Sequence, residues 1–374
     1  MGVVSPYMGW WIDQVSSPAF RPLLLGCFYA TMIITPSLWS HAAFSSSRPG
    51  QWLSMGTLLT ALFALGLSQV ETSSIIASCF LILSFGLFYT PLLSLLDALA
   101  YSQLEDASAY SRVRLYGSWG FLVFSTFVGG FVVLDNYKTF PFVVGLIMVF
   151  AWVASIPYKK TIFNTGNLME HPSEKGAFRS VFVKLYKVWI AMIISQIAFV
   201  MYYVFFAIYL KNLGFSNVQV GALVGVATLA EIVSFWKIKW FFEKATPWNL
   251  IAISSFLTAL RWGVIGLMGS GTWFIFVIIF VVQLLHALSF SVFHTSCLKI
   301  IHESVAPQHM GLAQGAYNAI GYGVGGLLGV FIGSFVWSQY GGHVLFEVCA
   351  VLSFFLSGLA FFFAKPSALQ TKIL

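Results

Sequence analysis

Apolar residues fall in long blocks separated by short polar breaks. Each block is about as long as the roughly 20 residues a helix needs to cross a bilayer. The pattern predicts spans at 20–43, 51–69, 72–98, 112–134, 139–157, 187–210, 217–240, 248–268, 273–298, 310–335 and 343–364. The stretch before them, "GVVSPYMGWWID", is apolar and aromatic but too short to cross alone. It reads as the second half of a further span, which makes twelve with a truncated first helix. The expected fold class is therefore an all-α integral membrane protein.

Composition agrees with the pattern. Of 374 residues, 59% are hydrophobic and 8% charged, against about 25% charged in a soluble domain. The net charge of +7 needs no nucleic-acid partner, because basic loops on the cytoplasmic face account for it. Alternate loops carry Arg48; Arg112 and Arg114; the run from Lys159 to Lys187; Lys237, Lys239 and Lys244; and Lys299. The opposite loops hold Arg21, Lys138 and Lys211. This asymmetry predicts a multi-pass protein of the inner (plasma) membrane with a cytoplasmic C-terminus. The four cysteines lie in apolar runs without shared spacing, so neither a disulfide framework nor a metal site is expected.

The longest hydrophilic segment, residues 158–186, divides the chain into 1–157 and 187–374. Two six-helix halves joined by a cytoplasmic linker is the layout of many secondary transporters. Glycine-rich stretches such as "GAYNAIGYGVGGLLGVFIGSF" suit helices that pack closely and slide.

Ionisable groups inside a membrane are costly and need a partner or a wet cavity. Here they are Asp97, Glu231, Arg261, His286, His294 and Glu347. Glu231 ("TLAEIVSFW") and Arg261 ("FLTALRWGVIGLMG") lie on sequential antiparallel spans, offset along the axis by roughly 6 Å, so a direct ion pair is expected. Two readings compete: a static pair that fixes packing, and a switch in proton coupling. His286 and His294 in "QLLHALSFSVFHTS" are eight residues apart and share a helix face. Histidine titrates nearest neutrality, which favours a proton-handling site comprising Glu231, Arg261, His286 and His294. Asp97 and Arg114 flank one short turn and could meet across antiparallel helices; Arg114 reads equally well as a topology anchor. Gln196, Tyr203 and Asn318 complete the expected substrate-contacting set.

The segments "FYTPLLSLLDALA", "SRVRLYGSWG", "AEIVSFW", "LRWGVIG" and "VVQLLHALSFSVFH" resemble the major facilitator superfamily, in the branch of proton symporters that includes the lactose and phenylpropionate permeases. The resemblance implies a major facilitator fold. It also implies a carboxylate–arginine substrate clamp at Asp97 and Arg114, and proton coupling through Glu231, Arg261 and His286. No carboxylate shares the helix of His286, where the lactose permease has its proton acceptor, and "LWSHAAFSSSRPG" departs from the usual acidic-basic loop motif. The function expected is proton-coupled uptake of a small organic solute, favouring a phenylpropionate-like aromatic acid. A sugar or nucleoside symporter and a degenerate non-transporting protein are the alternatives. No cofactor, metal or nucleic acid is expected. The partners would be the substrate, protons and the bilayer, with the chain acting as a monomer and not an enzyme.

Overall fold

The computed structural model describes residues 2–46, 48–69, 74–103, 116–133, 135–160, 177–306 and 309–364. The described residues are helices joined by short turns, with no strand among them. The elements used below are α1 (Val4–Val15), α2 (Arg21–Ser45), α3 (Pro49–Leu67), α4 (Ile75–Tyr89), α5 (Pro91–Gln103), α6 (Thr139–Ser155), α7 (Tyr186–Asn212), α8 (Asn217–Trp236), α9 (Pro247–Gly266), α10 (Trp273–Gln283), α11 (Phe293–Ser304), α12 (Met310–Asn318) and α13 (Gly326–Ala364). Three π-helical segments interrupt or join them, at Phe124–Val133, Ala287–Val292 and Ala319–Gly325.

Nine described stretches are long and apolar enough to cross a membrane, against eleven expected full spans. Two features account for the difference. The span at 112–134 falls partly outside the described residues, and its described part becomes π-helical at Phe124. The last two spans run together as Leu312–Ala364. Within that stretch Gly341 takes φ +80°, a conformation that favours glycine because it has no Cβ, and so the chain bends between the two spans.

Local chemistry sets the helix ends. Ser216 and Gln219 form a reciprocal capping box at the start of α8, satisfying two amides that the helix cannot. Thr246 caps α9 with Pro247 at its first turn, and Thr272 caps α10. Between α7 and α8 the turn requires Gly214 at φ +92°, and Lys211 Nζ donates to Asn217 Oδ1 across it at 2.7 Å.

α7 is the most deeply buried of the candidate spans. It packs on α1 and α13, while α9 lies along α13. Close approaches occur where side chains are absent. At Gly221 on α8, a Cβ would lie 2.6 Å from the Thr126 carbonyl oxygen and 3.0 Å from Gly130 Cα. Gly225, one turn on, faces the Thr126 side chain. Tyr7 of α1 fits over Gly129, and its hydroxyl donates to the Ser125 carbonyl at 2.6 Å. These contacts seat α1 and α8 against the first π-helical segment, as small residues do at membrane-helix interfaces.

Candidate functional site

Several polar groups of the second part of the chain meet at His286. α10 ends at Gln283, a short turn follows, and the π-helical segment starts at Ala287. His286 sits in this interruption. It is 3% exposed, and Arg261 of α9 is fully buried. Arg261 Nη1 lies 2.6 Å from His286 Nδ1 and donates to Ser289 Oγ at 3.1 Å. Across the ring, His286 Nε2 lies 3.6 Å from Glu231 Oε2 and 3.5 Å from the Tyr203 hydroxyl.

This geometry fixes proton positions. A guanidinium has only donors, so His286 Nδ1 accepts from Arg261. Nε2 then carries the hydrogen of the neutral ring, directed at Glu231 and Tyr203. The order is Arg261–His286–Glu231. The expected direct Glu231–Arg261 pair is thus replaced by one in which imidazole lies between the two groups. The reason is the break after Gln283, which lets His286 project into the axial gap between Glu231 and Arg261.

Arg261 is otherwise held by aromatic faces. Its guanidinium carbon stands 4.5 Å from the Tyr202 ring centroid and 5.4 Å from that of Trp262, both distances at which cation–π attraction operates. Its Nε and Nη2 have no hydrogen-bond partner among the described residues. Phe199 packs beside Trp262, His286 and Phe290, closing the cluster on its apolar side. Nearby, Ser234 of α8 bonds to Ser291 and to the Ala287 carbonyl, fastening α8 to the π-helical segment.

The remaining expected residues separate. His294 does share a face with His286, with Phe290 stacked between them at centroid distances of 5.7 and 5.8 Å. Its Nδ1 pairs with the Tyr317 hydroxyl at 2.9 Å, away from Arg261. Gln196 is buried on α7 against Gly321 and Gly325. Asn318 is exposed at the end of α12, and Asp97 is half-buried on α5. Arg114 and Arg112 lie outside the described residues, as do 161–176 of the expected linker and the tail from 365. Tyr202, Gln283 and Ser289 belong to the cluster but were not among the expected site residues. Their signal in the sequence is proximity: Ser289 and Gln283 are each three residues from His286 and fall near its helix face.

A model of the MFS_1 like family matches residues 1–348. The chain belongs to this family of the major facilitator superfamily. Among curated relatives, the probable 3-phenylpropionic acid transporter of Escherichia coli (strain K12) is 28% identical over 367 residues, covering 94% of this chain and 91% of that protein. Among solved structures, a point mutant of the nucleoside transporter NupG superposes with a TM-score of 0.84 at 15% identity, covering 97% of this chain and 96% of that one. A second NupG structure gives 0.80 at 16% identity, covering 98% and 95%. At that identity the NupG structures show the fold alone, a bundle of membrane-crossing helices; membership of the major facilitator superfamily rests on the family match.

Proposed function

We propose that this transporter couples proton entry to uptake of a small organic acid, with an aromatic carboxylate such as 3-phenylpropionate as the favoured substrate. The observation that carries the reading is the Arg261–His286–Glu231 order, with Arg261 and His286 buried and Glu231 half-buried. A cation, a neutral imidazole and a carboxylate in series form a two-state device. When Glu231 is ionised it attracts the Nε2–H of His286, and Nδ1 keeps its lone pair for Arg261. When Glu231 takes a proton that attraction is lost, His286 is free to turn, and Arg261 keeps only Ser289 as an acceptor. Its charge, already short of partners, then becomes available to an anion. One proton entering with one carboxylate is electroneutral, so a pH gradient alone can drive accumulation.

Residues 1–157 and 187–374 act as the two halves, joined by a cytoplasmic linker at 158–186, with the C-terminus cytoplasmic and the chain working as a monomer in the inner membrane. Rocking of the halves alternates access to a central site. Asp97, Arg114, Gln196, Tyr203 and Asn318 contact substrate in this scheme, and His294 with Tyr317 forms a second polar station along the helix of His286. The carboxylate preference is supported by the relative of 28% identity, which is described as a probable 3-phenylpropionic acid transporter.

The test is uptake into proteoliposomes with an alkaline interior. Radiolabelled 3-phenylpropionate should accumulate above equilibrium and leak out when an ionophore collapses the gradient. Uridine and lactose, offered in parallel, should not accumulate. Proton-driven accumulation of uridine or lactose instead would overturn the substrate class; no gradient-dependent uptake of any of the three would overturn proton coupling.

A further inference from the structure

Gln283 is fully buried at the last residue of α10. Its Nε2 donates to the Tyr202 hydroxyl at 2.9 Å and to the Leu223 carbonyl at 3.0 Å. A carbonyl can only accept, so the amide orientation is set by Leu223, and the Tyr202 oxygen must act as acceptor. Gln283 Oε1 has no hydrogen-bond partner among the described residues. An apolar residue of the same length would fill this place without leaving a buried acceptor unpaired, which is costly. The half-satisfied amide therefore asks for a role beyond packing.

Its three attachments supply one. Through Tyr202 it reaches α7, through Leu223 it reaches α8, and by its own backbone it holds the end of α10 three residues before His286. The Tyr202 ring it orients is the surface on which the Arg261 guanidinium rests at 4.5 Å. Arg261 has two nitrogens without hydrogen-bond partners among the described residues, so that ring supplies much of its remaining stabilisation. If the ring tilts, those nitrogens are free to seek another acceptor, and the carboxylate of Glu231, on the far side of His286, is a charge complement.

We infer that Gln283 is a positioning residue: by fixing Tyr202 beneath Arg261, and by fixing the point from which His286 projects, it keeps imidazole between Arg261 and Glu231. The inference rests on the proton-coupled reading above. Losing Gln283 would let Arg261 and Glu231 pair directly and bypass His286. Substrate exchange across the membrane would continue while its link to the proton weakened.

The experiment compares Gln283→Met, Tyr202→Phe and the double variant in proteoliposomes, measuring both pH-driven accumulation and counterflow of 3-phenylpropionate. Tyr202→Phe keeps the ring and removes only the oxygen, so it remains informative if Gln283→Met fails to fold. Each single variant should lower accumulation by about fivefold, the scale of the one hydrogen bond that both remove, with counterflow held within about twofold. The double variant should be no worse than the more severe single one, as for residues acting in series. Accumulation and counterflow falling in step in Tyr202→Phe, or single effects that multiply in the double variant, would mean a merely structural role and overturn the inference. Wild-type protein that shows counterflow but no pH-driven accumulation would overturn the proton-coupled reading itself, and the inference with it. Normal wild-type accumulation alongside either structural outcome overturns the inference alone.

Discussion

Gly221→Val perturbs the seam between α8 and the first π-helical segment at its tightest backbone contact. A Cβ there would stand 2.6 Å from Thr126 O and 3.0 Å from Gly130 Cα. Comfortable non-bonded contacts lie near 3.5 Å, so the backbones must part by about 1 Å, and neither neighbour is a flexible side-chain tip. Valine and glycine differ by only a few tenths of a kcal/mol in helix propensity, which leaves the seam as the dominant cost. Overpacking of this kind costs about 1–3 kcal/mol. If the seam opens during the transport cycle, that cost falls only on its closed form, and the open population rises by about five- to 150-fold. The assay is alkylation of Thr126→Cys by an impermeant maleimide, in protein whose Cys27, Cys79, Cys297 and Cys349 have been replaced by alanine. The labelling rate should rise in proportion to the open population. Gly263→Ala serves as the control, because a Cβ there meets only Ala350 Cβ at an ordinary 3.8 Å. Unchanged labelling in a Gly221→Val protein of unchanged thermal stability would refute the view that this seam opens.

Three further outcomes are expected. Glu231→Gln should abolish accumulation against a gradient while retaining counterflow, and sustained uphill uptake by this variant would remove Glu231 from the coupling route. Arg261→Lys keeps the charge but loses the planar guanidinium that lies over Tyr202, so accumulation should fall by about tenfold or more; uptake within twofold of wild type would show that charge alone suffices. His294→Gln, whose ring pairs with Tyr317 rather than Arg261, should leave accumulation within about threefold, and a loss as deep as that of Glu231→Gln would place His294 on the same route.

The membrane-crossing helices were legible because hydrophobic blocks of the right length have few other uses. The residues of the central cluster were legible for a related reason: Glu231, Arg261 and His286 are conspicuous in segments that otherwise exclude charge. Their order was not. Counting residues along ideal helices places Glu231 and Arg261 as direct partners, whereas the turn after Gln283 and the wider π-helical path from Ala287 bring His286 between them. A departure from 3.6-residue periodicity of this kind leaves no mark in the pattern of apolar positions. Tyr202 escaped notice because one tyrosine in "FVMYYVFF" looks like its neighbours, and only its place beneath the guanidinium sets it apart. Gly221 and Gly225 look like many other small-residue pairs until the opposing backbone at Thr126 and Gly130 is known.

The π-helical segments bear on how such a chain changes over time. A π turn contains one more residue than an α turn, so Ala287–Val292 has the form that a single inserted codon would leave in a regular helix. Removing one residue from it would let the helix wind evenly, and everything beyond would rotate by about 100°. His286, upstream, would keep Arg261, Glu231 and Tyr203 as neighbours, but His294 and the rest of α11 would turn away from Tyr317. One-residue length changes near 287–292 are therefore a larger genetic event for this protein than most substitutions, and homologues differing in length there should differ in what the downstream half of that helix faces.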